Sequence, residues 1–81
     1  MLRYYFHLHE PGGVILLDEE GCQFESKLAA IQSATHEARS LLAADAVEGK
    51  LRLGGRIVVV NADTGEATDV PFGSVIEIEA A

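Results

Sequence analysis

Residues 2–9 read LRYYFHLH, and the way their side chains divide between two faces decides the fold. Leu2, Tyr4, Phe6 and Leu8 alternate with Arg3, Tyr5, His7 and His9. That period of two belongs to a strand with one face packed and the other open. Glu10-Pro11-Gly12-Gly13 then supplies a fixed φ and two permissive residues, so the chain is expected to reverse into a short second strand over residues 14–17. The acidic run Asp18-Glu19-Glu20-Gly21 breaks that strand, and residues 22–24 extend or resume it.

Downstream the period changes. Ser26 is a suitable N-cap, its hydroxyl able to accept from an unpaired first-turn amide. From there to about Val47 the chain is rich in Ala and holds no Gly or Pro, as a long helix requires. At about 100° per residue, Leu28, Ile31, Ala34, Thr35, Ala38, Leu41 and Leu42 fall on one stripe, the face expected to meet a sheet. Gly49 can enter the left-handed region and end the helix.

After the turn-prone residues 50–55, Arg56 leads into Ile57-Val58-Val59-Val60, four consecutive β-branched residues and the strongest strand signal in the chain. Asn61-Ala62-Asp63-Thr64-Gly65 reads as a hairpin loop into a fourth strand over residues 66–70, which Pro71 ends. Phe72, Val75, Ile76 and Ile78 close the core from residues 72–79, as a short helix or a last extended piece. The fold class is α+β: a compact ββαββ single domain over residues 1–81, with a mainly antiparallel four-stranded sheet and one long helix on one face.

Composition agrees with a folded chain: 48% of the 81 residues are hydrophobic and 23% charged. The formal charge of −7, from 6 Lys and Arg against 13 Asp and Glu, repels phosphate backbones and anionic bilayers and favours a basic protein partner. Neither nucleic acid nor membrane is expected as a partner. The apolar runs fall far short of the roughly 20 residues that span a bilayer. Cys22 is alone and no basic-then-apolar leader precedes Arg3, so the cytoplasm is the expected compartment.

One helix covers one face of a sheet, which leaves the other open. Arg3, Tyr5 and His7 belong to that face, with either Ile57 and Val59 or Val58 and Val60 from the third strand; Val58 and Val60 are the pair taken here. A mixed aromatic and aliphatic patch of this kind marks an interaction surface. The expectation is a non-enzymatic module that forms a homodimer or docks another protein through Arg3, Tyr5, His7, Val58 and Val60.

Other chemistries fit less well. His7 and His9, at i and i+2 of a strand, lie about 6–7 Å apart and are the nearest approach to a metal-ligand pair. His36 sits on the solvent side of the helix and does not converge with them. Glu10, Asp18, Glu19, Glu20 and Cys22 could approach from the hairpin, but no HExxH or CxxC spacing supports a site. Asp18-Glu19-Glu20 lacks the alternating ligands of a calcium loop and reads as a solvated acidic turn complementing the helix N-terminus. Cys22 lies among acids that disfavour a nucleophilic thiolate, and is expected as a small buried residue. Ser26, Ser33, Ser40 and Ser74 carry no flanking motif, and Gly54-Gly55 lacks the context of a phosphate cradle. Base stacking by Tyr4, Tyr5 and Phe6 fails because alternation puts Tyr5 on the other face from its neighbours. No catalytic residue and no cofactor is expected.

The opening Arg3-Tyr4-Tyr5-Phe6-His7, the Asp18-Glu19-Glu20-Gly21 element ahead of an alanine-rich helix, the Gly55-Arg56-Ile57 strand entry and the late Val70-Pro71-Phe72 together resemble a family of short bacterial domains of unknown function that begin with an Arg-Tyr-aromatic-aromatic-His strand. The resemblance covers nearly the whole chain; it implies the ββαββ order and no reaction. The chain departs from that pattern at Leu2 and at Pro11 and Gly12-Gly13. In architecture, the hairpin, acidic turn, Gly21-Cys22 and long helix are also similar to the HicB-like antitoxin domain, which implies an inhibitor of a small basic toxin. The proline-rich approach to the Gly-Cys of that family and a following DNA-binding segment are both missing.

Overall fold

The first strand, β1 (Leu2–His9), lies inside the sheet and pairs along both of its edges. A computed structural model describes residues 1–79. Along one edge of β1 runs the returning chain, in two pieces: β2 (Ile15–Leu16) opposite His9 and Leu8, then β3 (Cys22–Phe24) opposite Tyr4 to Leu2. The helix α1 (Lys27–Val47) follows, then β4 (Arg56–Asn61), β5 (Ala67–Pro71) and a 3₁₀ turn, Phe72–Ser74. The order is β2-β1-β4-β5, antiparallel throughout, with β3 continuing the β2 edge. The expected α+β layout is therefore present, with the second strand split and the sheet counting five strands.

Strand direction makes the helix necessary. Both β3 and β4 are antiparallel to β1 and flank it, so they run the same way, and only a crossover can join them. α1 is that crossover, and it lies over the face it must pass. Ser26 caps it in extended geometry, its Oγ accepting from the Ala29 amide at 3.1 Å. Gly49, at φ +80°, ends it with its amide on the Ala46 carbonyl at 3.0 Å.

The buried face of α1 is Ala30, Ala34, Ala38 and Leu42, spaced four apart. Ala34, Ala38 and Leu42 of the expected stripe are buried and Ile31 and Leu41 pack at its margin, but Leu28 is 66% exposed and Ala30, outside the stripe, is in the core. The three alanines are fully excluded from water over Ile57 and Val59. Residues without branches let a helix sit close to a sheet of β-branched side chains, and the volume comes from the strands. Tyr4, Val70, Phe72 and Val75 complete the core, with Phe6, Leu8 and Phe24 against it. Phe24 stacks on Phe6 with ring centroids 5.5 Å apart and meets Tyr4 edge-on at 6.2 Å.

Within residues 72–79 only Phe72–Ser74 is helical, a 3₁₀ turn that inserts Phe72 with its amide on the Gly55 carbonyl at 2.9 Å, and Ile78, expected in the core, is exposed. Arg39 fastens the chain just beyond that turn, donating from Nε to the Val75 carbonyl at 2.7 Å. No helix among the described residues is long and apolar enough to cross a membrane.

Candidate functional site

Register assigns the side chains to faces. Val59 stands opposite Phe6 and Ile57 opposite Leu8, so both valine and isoleucine join the core side. Val58 opposite His7 and Val60 opposite Tyr5 fall on the other face. Arg3, Tyr5, His7, Val58 and Val60 thus share one surface, and His9 shares it too.

Three cross-strand rows make up that surface: Tyr5, Val60 and Ala67; His7, Val58 and Asp69; His9, Arg56 and Pro71. No described helix covers it; α1 packs on the opposite side. The Tyr5 and His7 rings stack along β1, 6.0 Å between centroids and 11° from parallel. Arg56 Nε lies 3.9 Å from Asp69 Oδ2, an exposed pair of small energetic value. The strand residues of the face include two of the six Lys and Arg, Arg3 and Arg56, against a single acid, Asp69. On a chain of charge −7, the strand residues of this face are close to charge balance.

The break between β2 and β3 is a built feature with its own hydrogen bonds. Where Phe6 loses its strand partner, the Asp18 carboxylate takes over: Oδ2 accepts from the Phe6 amide at 3.1 Å, while Oδ1 accepts from Gly21 at 3.0 Å and Glu20 at 3.3 Å. The Asp18 amide in turn donates to His7 Nδ1 at 3.0 Å. Desolvation pushes the Asp18 carboxyl up, but the amides of Gly21, Phe6 and Glu20 outweigh it and hold the pKa below its ordinary 3.8. Gly21, at φ +72°, passes so close to β1 that a Cβ there would lie 2.8 Å from the Tyr4 carbonyl oxygen and 3.0 Å from the Tyr5 ring. Arg3 closes the loop, donating to the Glu20 carbonyl at 2.6 Å.

This geometry corrects two expectations. The acidic turn does not serve the helix, whose first turn carries no acid; Asp18 serves β1. Cys22 is exposed. The Asp18 role had a legible signal, since an Asp commonly accepts from backbone amides two and three residues on, here Glu20 and Gly21. Gln23, Arg56, Ala67 and Asp69 join the face only through strand register, which sequence does not carry.

Of the two weak metal candidates, His7 has Nδ1 engaged by the Asp18 amide and His9 stands opposite Arg56 on the same face. A neutral imidazole that accepts at Nδ1 carries its proton on Nε2, so His7, as hydrogen-bonded to Asp18, has no lone pair left. His36 is exposed on α1. Among the described residues no three His, Cys, Asp or Glu side chains group as ligands.

The family model for a domain of unknown function, DUF6894, matches residues 3–73, from Arg3 on the open face to Gly73 in the 3₁₀ turn. The chain belongs to the DUF6894 family. No curated protein and no solved structure matches it. The DUF6894 match covers the opening strand, the helix and the second hairpin, and brings no activity with it.

Proposed function

We propose that this DUF6894 chain is a non-enzymatic interaction module that pairs with a second copy of itself through the open sheet face. The observation that carries the reading is the face's charge. The molecule as a whole repels its own copies, and the rows around Tyr5, Val58 and Val60 are where two copies meet without stacking acid on acid. A two-fold contact places the same patch on both partners, so Arg3 and Arg56 of one copy can approach Asp69 of the other. The lone Cys22 has no internal disulfide partner and suits a reducing compartment, which we take to be the cytoplasm.

The test is the solution mass of the untagged protein by light scattering over a concentration series. A dimer is expected, and Tyr5→Glu or Val58→Asp should return it to a folded monomer, because each buries an unpaired charge in the contact. A monomer at every concentration, or a dimer indifferent to both substitutions, overturns the reading.

A further inference from the structure

On the helix side of the sheet, α1 leaves the β2–β3 edge uncovered. A groove of about 520 Å³ runs there, floored by Phe6, Leu8, Leu16, Leu17 and Phe24. Of the apolar arm over residues 14–17, Leu16 and Leu17 line it and are each more than half exposed, while Ile15 stands opposite His9 on the other face. Large apolar side chains left in water along an apolar groove are the mark of a contact surface. Its rim is acidic, with Asp18 and Glu20 on the loop and Glu37 on α1. Neither Glu20 nor Glu37 has an ion-pair partner among the described residues, while the cations of the three ion pairs lie elsewhere.

From these features we infer that the groove binds a basic segment of another protein, one whose apolar side chains seat on the Phe6, Leu8 and Leu17 floor while its Lys or Arg residues meet the rim. Charge selects this occupant. A second copy would set acidic rim against acidic rim, and an anionic lipid surface would be repelled in the same way. The divided edge also disfavours simple strand addition, because the loop from Leu17 to Gly21 interrupts the row of backbone groups a new strand needs. The groove lies on the side of the sheet opposite the Tyr5 and Val58 face, so it stays open whether or not the protein dimerises there.

Cys22 lines the groove and is the sole cysteine, which gives a direct reporter. The experiment titrates the full chain with a fluorescent synthetic peptide of alternating Lys and Leu, reads anisotropy, and in parallel follows alkylation of Cys22 by iodoacetamide. The Lys/Leu peptide should bind, slow the alkylation and lose affinity with added salt; a Glu/Leu peptide should do none of these. Leu17→Asn, which removes the apolar contact at an exposed position without adding charge, should weaken binding roughly ten- to a hundredfold, the transfer value of one leucine side chain. Val58→Asp, on the far face and outside the groove lining, should leave peptide binding unchanged, which separates this inference from the dimer. Absence of binding, equal binding of the Glu/Leu peptide, unchanged affinity in Leu17→Asn, a Leu17→Asn variant whose change is in oligomeric state, or preference for lipid vesicles over the peptide would each overturn it.

Discussion

Replacing Asp18 tests the most interdependent part of the molecule. Its carboxylate is the acceptor for three backbone amides, two of them part-buried, Phe6 in the middle of β1 and Gly21 against it. In Asp18→Ala the exposed Glu20 amide turns to water at little cost, but the part-buried Phe6 and Gly21 amides lose their acceptor. An unsatisfied buried donor costs about 1–3 kcal/mol, and loss of a charge-assisted acceptor falls at the upper end. With about 4–8 °C of melting temperature per kcal/mol in a domain of this size, the expected fall is roughly 10–20 °C. Asp18→Asn keeps one acceptor oxygen and should lose about half as much. The sign with pH follows from the depressed carboxyl: its stabilisation is complete above the ordinary value of 3.8 and is lost as pH falls through the lower folded-state value. The gap between wild type and Asp18→Asn should therefore be full at neutral pH and close below 3.8. Urea unfolding followed by circular dichroism, repeated across that range, measures both. A loss under about 0.5 kcal/mol for Asp18→Ala, the size of an ordinary surface change, or a gap that does not narrow in acid, would refute the assignment.

Two further substitutions probe the packing. Gly55→Ala puts a Cβ 2.6 Å from the Phe72 ring, and overpacking of that kind should cost about 1–3 kcal/mol, read as a lower urea midpoint; an unchanged midpoint would mean Phe72 is not seated as described. Ala34→Leu should destabilise by a comparable amount, about 1–3 kcal/mol, whereas Leu28→Ala should stay within about 0.5 kcal/mol, and thermal melts showing the reverse order would displace the alanine stripe from the core.

Signals carried within a few residues were legible in the sequence. Alternation in residues 2–9, the β-branched run at 57–60, the Ser26 cap and the turn glycines at 13, 49 and 65 each act through local sterics or a local hydrogen bond, and each stands where expected. What depends on distant partners was not legible. The expected helix face holds for Ala34, Ala38 and Leu42, with Ile31 and Leu41 at its margin, but it included the exposed Leu28 and missed Ala30, because alanine carries little hydrophobic weight while contact with the tightly packed Ile57 and Val59 selects small residues. The choice between the two valine sets on β4 rests on Val59 standing opposite Phe6, a pairing across more than half the chain. Split pairing of β2 and β3 likewise depends on where Asp18 meets β1.

Chain order gives the central position of β1 a consequence during synthesis. Its hairpin partner arrives at once, but its other edge waits for β4, whose last paired residue is Asn61 opposite Tyr4. Ribosomes add roughly 5–20 residues per second, so that edge stands open for several seconds after His9 is made. During that interval the aromatic strand is a template for any extended chain nearby. Most of α1 must also emerge and fold before closure, which shortens the loop to be closed and lowers its entropic cost. The rate of α1 formation therefore sets how long the nascent chain is vulnerable, and substitutions that slow the helix should appear first as loss of yield rather than loss of stability.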